Sequence, residues 1–166
     1  MSIGRWFQNH PRLLEAAYAF TRSAFHRLDP LLKRVGYGRV SRLVRPGEEL
    51  AKRFIFDCRM CGQCVLHSTG MTCPMTCPKE LRNGPCGGVR LDGNCEVLPE
   101  MRCVWLEATE RAARMPLYGK QMQLIQPPTN RRLQGASAWI TMLEGRDAEL
   151  PGGWLDQRSA DTEQKR

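Results

Sequence analysis

The sequence has 166 residues, and none of its apolar runs is long enough to cross a bilayer. Crossing takes about 20 residues. The first twenty residues have no signal-peptide core, because polar and charged side chains interrupt it at Asn9, His10, Arg12 and Glu15. No small-residue cleavage site follows a hydrophobic stretch. We therefore expect no membrane span, no export and a cytoplasmic protein.

Motifs for catalysis and for nucleotide binding are also missing. The sequence has no Gly-x-Gly-x-x-Gly after a strand pattern, no phosphate-binding loop, no nucleophile elbow and no clearly placed pair of carboxylates. A nicotinamide or flavin therefore has no motif that would bind it here. These absences favour a non-catalytic protein over an enzyme.

Cysteine is absent from the 57 residues before position 58 and from the 63 residues after position 103. Between these limits lie eight: Cys58, Cys61, Cys64, Cys73, Cys77, Cys86, Cys95 and Cys103. A disulfide scaffold would tend to link the whole chain, and a reducing cytoplasm disfavours it. A metal site instead gathers its ligands, so the clustering predicts that all eight cysteines bind metal.

The spacing of these cysteines favours iron–sulfur clusters. Cys58, Cys61 and Cys64 form a C-x2-C-x2-C triple, as at the start of bacterial ferredoxin motifs. Cys73-Pro74 and Cys77-Pro78 match the Cys-Pro step of those motifs, where proline fixes the backbone and removes a donor. Eight ligands divide into two sets of four, which predicts two [4Fe–4S] clusters.

Alternatives stay open for the metal and its ligands. One cluster plus a zinc ion, or zinc alone, would also use eight thiolates, since four cysteines hold a structural zinc. The sequence does not fix which cysteines share a cluster, although we expect Cys58, Cys61 and Cys64 together. His67 is another candidate ligand by position, but with eight cysteines available we expect it to be a bystander.

Glycine and proline are dense in the cysteine segment, with nine of them in residues 57–98. Such a segment sustains no long helix or strand, so metal binding must supply folding free energy there. In the loop 82–88, RNGPCGG, the glycines permit tight turns with positive φ at Gly84 or Gly87. These glycines would also let backbone N–H groups approach the sulfur atoms of a cluster, or leave little protein between a cluster and the solvent.

Helical periodicity comes before the cysteine segment. Residues 11–28 predict an amphipathic helix, and a second short helix is expected from Asp29-Pro30 to Gly36. Glycine and proline at 36–38 and 46–47 predict a loop, followed by one or two helical turns at 48–54.

Helical periodicity also follows it. Residues 103–115 predict a helix that Pro116 ends, and residues 116–130 are expected to be extended. A last helix is predicted over 131–143, with Gly145 closing it. Trp105 and Trp139 are expected in the core.

Together these patterns predict a mostly α fold with a large irregular cysteine-rich iron–sulfur segment and few or no strands. Four regions are expected. They are a basic amphipathic helical region at 1–53, a metal-cluster domain with a closing helix at 54–115, an extended segment and helix packing on it at 116–150, and a mobile tail at 151–166.

The net charge of +8 is concentrated at the N-terminal end, where residues 1–57 carry 11 basic and 5 acidic side chains. A solvated helix face is the simplest interpretation of this charge. An acidic partner, a membrane surface or nucleic acid are the alternatives, and of these we do not expect nucleic acid.

The cysteine segment 58–97, together with Cys103-Val104-Trp105 and Glu110-Arg111, resembles the methylenetetrahydrofolate reductase C-terminal-type domain. This family is the small iron–sulfur partner subunit of that flavoenzyme. The similarity is dense over 54–114 and includes GASAWI at 135–140 and Gly145-Arg146-Asp147, whereas residues 1–53 are not covered. It implies that all eight cysteines are cluster ligands.

The resemblance also implies a partner and a role. The partner would be a TIM-barrel methylenetetrahydrofolate reductase that carries FAD or FMN and binds the folate. This chain would pass electrons between that flavin and ferredoxin or another redox carrier. The alternative function is a zinc-stabilised structural or interaction module that supports a folate or methyl-transfer enzyme.

Overall fold

The computed structural model describes residues 3–151. Its α-helices are α1 (Ile3–Gln8), α2 (Pro11–Val35), α3 (Tyr37–Phe56), α4 (Val104–Ala112) and α5 (Ala138–Leu143). Short 3-10 turns lie at Leu66–Ser68, Pro74–Thr76, Gly119–Gln123, Arg131–Leu133 and Arg146–Ala148. Within residues 3–151 the only β pairings are two isolated bridges, Val89 with Cys95 and Asn94 with Arg102. The prediction of a mostly helical fold with an irregular cysteine-rich segment is confirmed.

The two N-terminal helices are longer than predicted. Helix α2 continues through Pro30, where two helices were expected, and ends at Val35 before Gly36, whose φ is 92°. Helix α3 continues through Gly38 and Pro46, where a loop was expected. Both predictions of a break were wrong. A proline inside a helix removes one backbone hydrogen bond, and because Pro30 and Pro46 are exposed, water can satisfy the carbonyl groups left free.

Helix α2 is joined to the rest of the fold by a buried carboxylate. The side chain of Glu15 is only 1% exposed and accepts hydrogen bonds from the backbone N–H groups of Leu117 (2.9 Å) and Tyr118 (2.6 Å). Nearby, Leu14 packs in an apolar cluster with side chains of the cysteine segment, among them Met71 and Met75. The N-terminal helices therefore pack on the cysteine segment.

The C-terminal elements also differ from the predictions. Helix α4 ends at Ala112, before the predicted Met115, and the segment expected to be extended contains the turn Gly119–Gln123. The helix predicted over 131–143 is interrupted at Gly135, whose φ is 80°. Helix α5 starts only after Ser137, whose hydroxyl accepts a hydrogen bond from the N–H of Ile140, as Ser does at a helix N-cap.

No helix within residues 3–151 is long and apolar enough to span a membrane. The mobile tail predicted at 151–166 lies, apart from Pro151, outside the described residues. The division of the chain into four regions stays a prediction.

Candidate metal centres

Four of the eight cysteines line one cavity, which we call site 1. They are Cys58, Cys61, Cys64 and Cys73. Cys73 is buried and the other three are half-buried. The C-x2-C-x2-C triple thus lies at one cavity, with Cys73 as the fourth thiol. That Cys58, Cys61 and Cys64 share a cluster stays a prediction.

The loop 58–64 turns sharply so that its cysteines face the cavity. Asp57 and Met60 have a φ of 49°, and Gly62 has a φ of 75°, a left-handed conformation that glycine adopts most easily. The N–H of Met60 donates to Cys58 Sγ at 3.4 Å. A Cβ on Gly62 would lie 2.2 Å from the carbonyl oxygen of Leu133, so this position has room for glycine only.

Residues 130–147 hold this loop in place. The buried side chain of Gln63 donates to the carbonyl oxygen of Asp147 (2.9 Å) and accepts from the N–H of Asn130 (2.7 Å). The hydroxyl of Thr141 donates to the carbonyl oxygen of Gly62 at 2.6 Å. A segment far along the chain therefore sets the positions of the site 1 thiols.

Two buried cations face site 1. Lys52 is 8% exposed and Arg82 is 7% exposed, and both line the cavity. Lys52 Nζ lies 2.5 Å from a carboxylate oxygen of Glu48. Burial alone would lower the pKa of Lys52, but the neighbouring Cys64 thiolate and Glu48 carboxylate raise it above its ordinary value. Positive charge close to thiols favours their thiolate form, which is the form that binds metal.

The pKa values of three site 1 thiols are shifted, that of Cys58 downwards and those of Cys64 and Cys73 upwards. A hydrogen bond from Cys73, with a smaller contribution from the N–H of Met60, lowers the pKa of Cys58 to about 6. The same contact with Cys58, together with burial, raises the pKa of Cys73. Burial also raises the pKa of Cys64. Cys58 therefore loses its proton more readily than Cys64 or Cys73 does.

The other four cysteines line a second cavity, site 2. They are Cys77, Cys86, Cys95 and Cys103. Cys77 is buried, Cys95 and Cys103 are half-buried, and Cys86 is exposed. Site 2 is therefore closer to solvent than site 1. The exposed ion pair of Lys79 and Glu96 lies beside Cys86.

Short loops and one helix end position the thiols of site 2. In the loop 82–88 the peptide before Pro85 is cis, and Gly87 has the positive φ (81°) that was expected, whereas Gly84 does not. The N–H of Gly88 donates to Cys86 Sγ at 3.4 Å. Cys95 pairs with Val89 in a β-bridge. Cys103 is the residue just before helix α4, where the positive end of the helix dipole stabilises a thiolate.

One short turn connects the two sites. Cys73 precedes the 3-10 turn Pro74–Thr76 and Cys77 follows it. The N–H of Thr76 donates to the carbonyl oxygen of Cys73 (3.2 Å), and the N–H of Cys77 donates to that of Pro74 (3.1 Å). In two-cluster ferredoxins, too, a cysteine separated by three residues from its neighbour and followed by proline serves the other cluster.

The residues present suit two sulfur-rich cofactors. Each cavity offers four thiols and one buried N–H donor that has no hydrogen-bond partner, Arg82 Nε at site 1 and Trp105 Nε1 at site 2. Both side chains also line a third cavity. Within residues 3–151, no three His, Cys, Asp or Glu side chains form a group that could hold a single metal ion.

His67 lies outside the cavity that the site 1 thiols line. Its Nδ1 is 3.1 Å from the hydroxyl of Tyr18, and the two rings stack. Burial, and then Arg22, lower the pKa of His67 to about 4, so the ring is neutral at neutral pH. Of the two tryptophans expected in the core, Trp105 is buried, whereas Trp139 is half-buried and stacks on Phe25.

Sequence reasoning missed Lys52, Arg82 and Gln63. Lysine and arginine are usually exposed, and nothing in the sequence near Lys52 indicates that it faces thiols. Arg82 does open the glycine-rich loop 82–88, which was the only signal that its position is unusual.

Comparison with known proteins gives one result. A family model described as "Methylene-tetrahydrofolate reductase C terminal" matches residues 37–132, which include all eight cysteines. No curated protein and no solved structure matches the chain.

Proposed function

The chain belongs to the methylenetetrahydrofolate reductase C-terminal family, and from this we propose that it is the iron–sulfur electron-transfer subunit of a flavin-dependent methylenetetrahydrofolate reductase in the cytoplasm. Association with such a reductase follows from the family. The electron-transfer role, the two [4Fe–4S] clusters and the eight cysteine ligands are the proposal.

The division of eight thiols into two sets of four carries this proposal. Site 1 and site 2 each gather four cysteines at one cavity, which is the ligand number of a [4Fe–4S] cluster. A single zinc ion draws its four sulfurs to about 2.3 Å from the metal. Four thiols at one cavity would suit that ion as well, so the choice of iron–sulfur clusters over zinc rests on the C-x2-C-x2-C triple and the two Cys-Pro steps of the sequence.

The clusters would supply one-electron transfer at potentials that their surroundings adjust. Reduction of 5,10-methylene- to 5-methyltetrahydrofolate takes two electrons and two protons, and the flavin and folate belong to the partner. This chain's cysteines bind the clusters, and the turn Pro74–Thr76 keeps the two sites close together. Exposed Cys86 puts site 2 within reach of ferredoxin or another external carrier.

The helical hairpin of α2 and α3 offers a docking surface for the flavoenzyme. Apolar side chains are exposed along one side of each helix: Leu13, Phe20, Leu28, Leu31 and Val35 on α2, and Leu43, Leu50 and Phe54 on α3. Exposed apolar surface of this extent is typical of protein interfaces. The basic excess of residues 1–57 would repel a second copy of the chain, so an acidic face of the flavoenzyme is the occupant that we propose.

Reconstitution tests the proposed function. The anaerobic chain is mixed with the flavin-dependent reductase of the same organism, and reduced ferredoxin is added as the donor. The proposal expects flavin reduction only when the chain is present, and its loss when Cys86→Ser replaces a ligand of site 2. Equal rates of flavin reduction with and without the chain would contradict the electron-transfer role.

A further inference from the structure

We propose that Arg82 sets the reduction potential of a cluster held at site 1, because its buried positive charge is not neutralised by a carboxylate. Arg82 acts as a positioning residue through its charge and is not itself a ligand. The inference rests on the proposed function, since it requires a redox-active cluster at site 1.

The position of Arg82 is fixed by the loop that carries the site 1 thiols. The side chain is 7% exposed, and its Nη1 donates to the carbonyl oxygen of Gln63 at 3.3 Å. Its Nε is buried without a hydrogen-bond partner. The side chain lines the same cavity as Cys61 and Cys64. Burial lowers the pKa of Arg82, and the charges of these two cysteines act in the opposite direction.

Lys52, the other buried cation at site 1, differs from Arg82 in one respect. Its ammonium group is paired with Glu48, so the two charges largely cancel at a distance. Among the ion pairs within residues 3–151, none involves Arg82. Arg82 therefore adds at site 1 a buried positive charge that no carboxylate within residues 3–151 offsets by an ion pair.

The effect on reduction follows from electrostatics. Gaining an electron makes a thiolate-bound cluster more negative, and burial away from water disfavours additional charge. A fixed cation at short range offsets this penalty most where the surroundings are least polar. Site 2 has exposed Cys86 and the exposed pair of Lys79 and Glu96. Water can therefore stabilise the added negative charge at site 2. Arg82 should thus act on site 1 and leave site 2 unchanged.

Redox titration followed by electron paramagnetic resonance tests this role. The variants are Arg82→Met, which removes the charge, and Arg82→Lys, which keeps it. Arg131→Gln is the matched control, because Arg131 is exposed and paired with Glu80. The signal of site 2 is identified as the one that Cys86→Ser removes.

The expected result is selective. In Arg82→Met the ratio of reduced to oxidised site 1 at a fixed potential falls at least tenfold, a shift of about 59 mV for one electron. Site 2 stays unchanged, Arg82→Lys recovers most of the shift, and Arg131→Gln changes neither site. Unshifted potentials in Arg82→Met with both clusters present overturn the inference, as does an equal shift in Arg82→Lys.

A second variant decides the question if Arg82→Met fails to retain iron. Glu48→Gln removes the partner of Lys52 and so adds net positive charge at site 1, and we expect a positive shift of the site 1 potential only. No shift in Glu48→Gln contradicts the proposed role of buried charge. Iron analysis of the wild-type chain separates the role of Arg82 from the proposed function. A chain without iron contradicts both. Normal clusters with unshifted potentials in the variants contradict only the role of Arg82.

Discussion

Cys73 and Cys77 lie at opposite ends of one 3-10 turn and face different cavities. Only three residues separate them, yet Cys73 joins the thiols of site 1 and Cys77 joins those of site 2. The turn is thus a short covalent connection between the two sites.

Single cysteine variants should each remove one cluster and spare the other. In Cys61→Ser we expect about half of the iron to be lost, from site 1, together with order in the surrounding segment, because metal binding supplies folding free energy there. In Cys86→Ser we expect the loss from site 2. Iron analysis and electron paramagnetic resonance of the anaerobic proteins measure this. His67→Ala is the control and should keep both clusters.

Loss of the same resonance signal in Cys61→Ser and Cys86→Ser would contradict the division into two sites. Full iron content and full stability in Cys61→Ser would show that Cys61 is not a ligand.

Gly62→Ala should destabilise the chain by about 2 kcal/mol or more. A left-handed conformation costs an L-residue about 1–2 kcal/mol, and the new Cβ would lie 2.2 Å from the carbonyl oxygen of Leu133. Gly47→Ala is the matched control, because Gly47 is inside helix α3 with open space around it. There alanine should stabilise by about 0.5–1 kcal/mol. Chemical denaturation under anaerobic conditions measures both changes.

The mostly helical fold class and the irregular cysteine-rich segment could be predicted from the sequence because both depend on local patterns. Helical periodicity appears in 11–28, and the cysteine triple appears within seven residues. The partners of Cys73 and Cys77 could not be predicted, because they depend on how distant segments pack. The breaks expected at Pro30 and Pro46 were wrong for a related reason: an exposed helix tolerates a proline that local rules treat as a stop.

Acidification should destabilise the chain through His67. Its pKa is lowered from 6.5 to about 4 in the folded state, so the unfolded chain binds this proton first as the pH falls. The contribution of His67 to stability is therefore complete above about pH 6.5 and is lost as the pH falls towards 4. His67→Gln should reduce the fall in melting temperature between pH 7 and pH 5. An unchanged pH dependence in His67→Gln would contradict this assignment.

Acidic substitutions on the hairpin should weaken binding of the flavoenzyme. Phe20 is 77% exposed and Leu31 is 56% exposed on one side of α2, and burying such a side chain contributes about 1.5–3 kcal/mol. Phe20→Glu and Leu31→Glu should each raise the dissociation constant about tenfold or more. Titration calorimetry measures it. Leu91→Glu is the control, since Leu91 is exposed but lies outside the hairpin, and unchanged binding in both hairpin variants would exclude this surface.

Metal and sulfide analysis of the chain purified without oxygen tests the central claim most directly. Two clusters predict about eight irons and about eight acid-labile sulfides per chain, with a brown colour that dithionite bleaches. A colourless chain that contains zinc and neither iron nor sulfide would contradict the account.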